Sequence, residues 1–523
     1  MELVDIIMFI TFFPVLINNL KSEKLYYSFY YICMLVIQKL VKYFLFIYIE
    51  HFMKKTLISL FIIINFLSVN AQNINFDKKI GEKQNKTVES QMGIYQNEKM
   101  NAYIDSLGQR LIAHLDKKLF DYKFRLVLQE APNAFALPGG YIYVTTGIIP
   151  LLENEDELAC IIGHEIIHSN NRHGTKKIRR NIPFVILEIP GILVGIFSET
   201  AGAILEAPVK ITNAFYSASY SRKLETEADD QGIILAAKAG YDPNALPDIL
   251  SRMIKAIEKV TGNEETKSYF DDHPYTPDRN ENIYKHIKDI DIHKTKHISN
   301  NFLKEFDGII IGESASKGII RENKFLHPDI DFYVEFPKDW VIENQPNAIF
   351  SHDTIKKSAL TLSIEDPNIS PRQAGANFLN AIDHRFRNTL VDSMDYVQNG
   401  EKGYMIRFSE NTSQGVMSAF VLWMPLNGNI YKFTGISPKE NHSIVENATK
   451  SLRILTEDEK NSIMQKHLSL VIANGDENIA QLSKRTGNKL DPELTAIINS
   501  IDPKEKIKKG EQIKIVVEEL YVK

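Results

Sequence analysis

The stretch "DELACIIGHEIIHSNNRHG", residues 156–174, sets two histidines, His164 and His168, four positions apart with Glu165 beside the first. Asn154 stands where a helix N-cap would, and Leu158, Ile161, Ile162 and Ile166 recur at a spacing that predicts an amphipathic helix. On such a helix His164 and His168 share one face. Imidazoles one turn apart can both reach a single Zn²⁺, and the adjacent carboxylate of Glu165 is placed to take a proton from a water there. A third ligand is then required. A glycine at 171 and a histidine at 174 would supply it from the same stretch, but the residues are Asn171 and Gly174, with His173 one place off.

A carboxylate from a second helix is the other solution. In "SRKLETEADDQG", residues 221–232, Glu225 and Asp229 lie four apart and face the same way on a helix. Alone this reads as a solvated acidic helix start. Beside a His-Glu-x-x-His pattern, Glu225 becomes the candidate third ligand and Asp229 a candidate to orient a ligand histidine from behind.

Those two motifs, with "NAFALPGGYIYVTTGII" (133–149) before them and "HPYTPDR" (273–279) after, resemble the gluzincin family that contains the CaaX prenyl proteases, HtpX and the exported outer-membrane-assembly proteases. The resemblance covers about residues 90–295, with four motifs in the family's order. It implies one Zn²⁺ per chain held by His164, His168 and Glu225, with Glu165 as general base and Asp229 behind a ligand. "FALPGGYIYV" reads as a turn at Pro138-Gly139-Gly140 entering a strand, which could hold an extended peptide by backbone pairing. The resemblance makes Ala136, Leu137, Pro138, Gly139 and Gly140 substrate-binding residues; an ordinary hairpin is the alternative. It also places His273 near the zinc, either as an oxyanion stabiliser or as a latch on the fourth zinc position, with Arg279 holding its loop.

Length and composition frame the rest. At 523 residues, 44% hydrophobic and 24% charged, the chain is globular and long enough for several domains. A formal net charge of −5 gives no pull toward nucleic acid. From Met53, two lysines, the apolar run Leu57 to Leu67, and small residues at Val69 and Ala71 form a secretory signal with cleavage near Ala71-Gln72. Residues 1–52 read as a mis-assigned upstream extension rather than membrane spans. Cys33 lies there, so Cys160 is left as a small buried hydrophobe without a partner for a disulfide. The apolar stretch 182–197 is short for a bilayer and broken by Pro183, Glu188 and Pro190, so it reads as a buried or re-entrant helical segment, with peripheral membrane contact as the alternative.

The expected fold class is α+β. A mainly helical metallopeptidase domain with a small edge sheet (84–300) is followed by a linker (301–327), an accessory α+β domain (328–455) and a βααβ module (464–518). Residues 467–517 resemble a lysin-motif (LysM) module through Gly475-Asp476, Ile479-Ala480, Asn499 and Gly510, making peptidoglycan a candidate partner; a small spacer domain is the alternative. Together these readings predict an exported zinc metalloendopeptidase of the periplasm or cell envelope, acting on unfolded or misassembled envelope proteins. The alternative is a latched zinc-bound chaperone or peptidoglycan-tethered assembly factor.

Overall fold

A computed structural model describes residues 74–176, 220–261, 269–274, 277–290 and 301–523, apart from positions 346, 356, 383–386 and 413–414, together with five isolated positions between 31 and 42. The expected signal peptide at 53–71 and the apolar stretch 182–197 lie outside the described residues, as does nearly all of 1–52. The chain divides into two units, Met1–Phe76 and Asp77–Lys523; in the first, the described residues are helical. Among the described residues no helix is long and apolar enough to cross a membrane.

The second unit opens with helix α1 (77–91) and helix α2 (Glu98–Ile112). Asn97 caps α2 by accepting from the Met100 amide, and Met100, Ile104, Leu107 and Leu111 form its buried stripe. That stripe lies on a three-stranded sheet of β1 (Lys123–Val127), β2 (Ala134–Leu137) and β3 (Tyr141–Thr145). β3 is central, parallel to β1 and antiparallel to β2, so β2 is one of the two edge strands. Helix α3 (Glu155–Asn170) follows, capped by Asn154, which accepts from the Glu157 amide. The amphipathic helix expected here is not what forms: every residue from Glu155 to Ser169 is buried, because α2, β2, β3, α4 (Arg222–Lys238) and α5 (Ala245–Thr261) enclose it. Its polar residues are therefore spent on internal partners; Glu155, for example, accepts from the Tyr103 and Tyr241 hydroxyls and pairs with Arg110. Helices α6 (Tyr269–Asp272) and α7 (Pro277–Ile287) complete this region.

Residues 301–327 are not the linker expected of them. They carry helix α8 (Phe302–Glu305) and strands β4 (Ile319–Arg321) and β5 (Lys324–His327), which join β6 (Phe332–Glu335) in an antiparallel sheet. The stretch is buried against its neighbours: Phe302 and Phe306 meet Tyr103 of α2, and Phe325 joins the core of the large sheet that follows. A seven-stranded antiparallel sheet follows, β7 (Val341–Gln345), β8 (Ala348–His352), β9 (Ala359–Glu365), β10 (Leu390–Gln398), β11 (Glu401–Thr412), β12 (Gly415–Leu426) and β13 (Asn429–Pro438), in the order β10-β11-β12-β13-β9-β8-β7. Alternation decides its two faces. Tyr404, Ile406, Ala419, Val421 and Trp423 pack toward α9 (Pro371–Ala381), while Met405, Phe420, Leu422 and Phe433 pack toward β5, β6 and α10 (His442–Thr449).

The last segment runs β14 (Met464–Ile472), α11 (Ile479–Thr486), α12 (Pro492–Ile498), β15 (Gln512–Leu520), with the two strands antiparallel. Asn499 ties α12 to β15, accepting from the Lys514 amide and donating to the Thr495 and Lys514 carbonyls. The segment is docked on the region of α3 and α5. Lys514 is buried and its Nζ donates to the Leu152 carbonyl at 2.6 Å, while Arg252 Nε donates to Ser500 Oγ at 3.0 Å.

Candidate metal centre

Helices α3 and α4 meet through two glycines. A Cβ on Gly163 would stand 3.0 Å from the Gly232 carbonyl oxygen, and one on Gly232 would stand 2.9 Å from the His164 amide nitrogen. With no side chain at either position the backbones touch, and the histidine face of α3 lies directly on the carboxylate face of α4. Neither glycine stands out in the sequence, because a helix-interior glycine carries no signal of what crosses it.

Four side chains converge at that crossing: His164, His168, Glu225 and His273, all buried, each offering one donor atom within 4.8 Å of the others. His164 Nε2 lies 2.9 Å from His168 Nε2, 3.2 Å from His273 Nδ1 and 3.6 Å from Glu225 Oε2; Glu225 Oε1 lies 3.3 Å from both His168 Nε2 and His273 Nδ1. Four donors arranged tetrahedrally about 2.05 Å from a shared centre stand about 3.3 Å apart, so the measured separations fit a zinc-sized tetrahedron. Protonation fits as well. Burial pushes His164 and His168 below the ordinary histidine range, so they are neutral. Burial works against ionisation of Glu225, but the surrounding His273, His168 and His164 hold its carboxyl well below the usual range. Neutral imidazoles with an ionised carboxylate are the donor set a divalent cation takes.

The structure places the remaining expected residues around this cluster. Asp229, one turn along α4 from Glu225, sets Oδ1 2.9 Å from His164 Nδ1, the nitrogen facing away from the donors. Arg279 grips Asp229 with two bonds of 2.8 Å, donates to the His273 carbonyl at 3.1 Å and lies 3.2 Å from Glu225. It thus ties α7 to both carboxylates and to the segment that carries His273. The His273 ring stacks on Tyr269 at 4.3 Å and turns Nε2 to within 3.4 Å of Glu165 Oε1. Tyr220 covers His168 with ring centroids 4.0 Å apart. Tyr220 and Tyr269 escaped sequence reading because an isolated aromatic has no periodicity to mark it.

The segment Ala136–Gly140 divides in two. Gly139 and Gly140, at φ +85° and +95°, make the turn between β2 and β3 and are buried against Asp77, Lys78, Phe120 and Asp121. The Pro138 carbonyl is covered by Gly81 of α1. Ala136 and Leu137 belong to edge strand β2, which runs beside α3; Ser169 Oγ donates to the Leu137 carbonyl at 3.4 Å.

Comparison with known proteins agrees with this geometry. Residues 98–287 match Peptidase family M48. Similar proteins include a putative beta-barrel assembly-enhancing protease of Vibrio cholerae (35% identical, over 29% of this chain and 33% of that protein) and the beta-barrel assembly-enhancing protease of Escherichia coli (30% identical, over 30% and 33%). The mitochondrial metalloendopeptidase OMA1 of Schizosaccharomyces pombe is 29% identical over 35% of this chain and 54% of its own length. The chain thus spans a third to a half of the curated relatives it matches. Family M48 peptidases depend on zinc, and the four-donor cluster falls within the matched residues. Residues 98–287 are therefore a zinc metallopeptidase domain of family M48.

Proposed function

We propose that this protein is an exported endopeptidase that cuts unfolded or misassembled proteins of the cell envelope. The observation that carries the reading is the cluster of His164, His168, Glu225 and His273 with Glu165 beside it. In this reading His164, His168 and Glu225 hold the zinc. When bound, Zn²⁺ supplies Lewis acidity to the scissile carbonyl. Glu165 takes a proton from the attacking water and returns it to the leaving amine. Asp229 and Arg279 fix His164 and the His273 segment. Ala136 and Leu137 of β2 pair with an extended client, beside α3 and its Glu165; the buried turn at Gly139 and Gly140 shapes the strand without touching the client. The names of the Vibrio and Escherichia relatives support envelope clients.

Casein cleavage by the chain from residue 72 onward tests this directly, comparing wild type with Glu165→Gln at equal zinc content. A loss of at least about 10²-fold in the zinc-loaded variant is expected, at the lower end of what a positioned acid–base group contributes. Cleavage unchanged in that variant refutes the role of Glu165.

A second reading is favoured by one observation. His273 Nδ1 sits 3.2–3.3 Å from donor atoms of His164 and Glu225, in the corner that a substrate would take. A latched enzyme, or a chaperone that holds clients without cutting, has this arrangement. The C-terminal βααβ segment, with its LysM resemblance, would tether either form to peptidoglycan.

A further inference from the structure

The two ligand histidines are backed differently. His164 turns its outer nitrogen to Asp229. His168 turns its own, Nδ1, to Nδ1 of His173 at 3.1 Å, with the rings nearly perpendicular. Both rings are buried. Beyond His173, Nε2 faces Glu227 Oε1 at 3.6 Å, and Glu227 is in turn held by Asn171 Nδ2 at 2.7 Å. We infer that His173 is the positioning residue for His168, the inner member of a chain His168–His173–Glu227 that fixes the tautomer and aim of the second histidine ligand.

The proton count permits one arrangement. For His168 to offer Nε2 to the metal, its proton must sit on Nδ1. His173 then accepts at Nδ1 and carries its own proton on Nε2, the side Glu227 attracts. Outer partners of this kind set the orientation and basicity of a ligand imidazole, and their loss weakens metal binding about 10–100-fold.

A continued helix would not allow this contact. At 100° per residue, positions 168 and 173 would point roughly 140° apart. The chain instead leaves α3 at Asn171, and Arg172 takes the left-handed conformation at φ 60°, which folds His173 back beneath His168. Asp77, fully buried on α1, secures the reversal by pairing with Arg172 and accepting from Thr175. The histidine that fails as a ligand by spacing thus serves one layer out.

The inference rests on the reading of His168 as a zinc ligand, and the test separates the two. Zinc affinity of the full chain is measured by competition with a chromophoric chelator for wild type, His168→Ala, His173→Leu and His173→Asn, with the zinc-free fold of each checked by circular dichroism. Leucine and asparagine have the same shape, but only asparagine offers an acceptor near the place of Nδ1. The leucine variant is expected to bind zinc about 10–100-fold more weakly, with asparagine recovering most of the loss. Equal affinity in the two variants overturns the positioning role even if His168→Ala abolishes binding. Unchanged affinity in His168→Ala overturns the ligand reading instead. If His173→Leu does not fold, Glu227→Ala replaces it; a several-fold weaker affinity supports the chain, and wild-type affinity overturns it.

Discussion

Replacing Arg252 by methionine isolates the joint between the C-terminal segment and the metal-bearing helix. Arg252 is buried; it donates to both oxygens of Glu157 at 2.8 and 2.9 Å and to the Leu151 carbonyl, pairs with Glu153 at 2.8 Å and reaches Ser500 across the joint. Methionine keeps the stem and deletes the charge. Breaking a buried pair by removing one partner costs about 3–5 kcal/mol. The lower end applies here, because burial and Arg252 together hold Lys514 down to about 7 and the substitution relieves that repulsion. Glu157 sets the pH dependence. Burial raises it from 4.5 to about 7 even with Arg252 pulling it back. An acid raised on folding binds more protons folded than unfolded between those values, so its effect on stability worsens as pH climbs through them. Without Arg252 the folded value rises further. The deficit of Arg252→Met is therefore about 3 kcal/mol near pH 7.5, most of it the lost bonds to Leu151, Ser500 and Glu153; the Glu157 carboxylate adds at most about 0.8 kcal/mol, because the variant can protonate it, and that share vanishes near pH 5, where Glu157 is protonated in both folded proteins. Urea unfolding at the two pH values, at fixed zinc, measures it; hydrogen exchange along β15 reports whether the joint opens first. A total deficit below about 1 kcal/mol near pH 7.5 refutes the cost assigned to the buried pair, and a deficit that does not shrink by roughly 0.5–1 kcal/mol toward pH 5 refutes the share assigned to the Glu157 carboxylate.

Gly232→Ala must separate α3 from α4, since its Cβ would fall 2.9 Å from the His164 amide nitrogen; a loss of about 1–3 kcal/mol is expected in thermal unfolding, together with weaker zinc binding. Asn499→Ala removes two bonds to Lys514 of β15 and one to Thr495 of α12, and a loss of about 1–3 kcal/mol should appear in denaturant unfolding, with early exchange of β15 amides. His273→Ala keeps zinc on the other three donors; casein cleavage rises if the residue is a latch and falls by about 10²–10³-fold if it stabilises the oxyanion, and loss of zinc on dialysis would count against both roles.

Much of the centre is legible in the sequence for one reason: a helix relates residues four apart without help from the rest of the chain. His164 and His168, and separately Glu225 and Asp229, are pairs of that kind, so each face could be read locally. The strand after Pro138-Gly139-Gly140 and the βααβ order of the C-terminal segment rest on equally local turn and pattern signals. Where reading failed, the cause was distance along the chain. Residues 301–327 look like a linker because their apolar residues fall in short runs, Ile309–Ile311 and Ile319–Ile320, with no sustained helical or strand period, yet β4 and β5 form once β6 lies beside them, and residues 308–311 bond to β14, far along the chain. The periodicity of α3 suggested one wet face; enclosure from several sides buried it instead.

The sequence by itself determined which side chains could ligate, because ligand chemistry and helical spacing are properties of a few neighbouring residues. Only the tertiary structure decided that the two faces meet, through the bare contact of Gly163 with Gly232, that His273 lies among the donor atoms, and that His173 turns back beneath His168 instead of pointing away. Those outcomes depend on helix crossing and on a single left-handed residue pinned by Asp77. Neither leaves a mark in local sequence, since each is fixed by atoms that become neighbours only after the chain has folded.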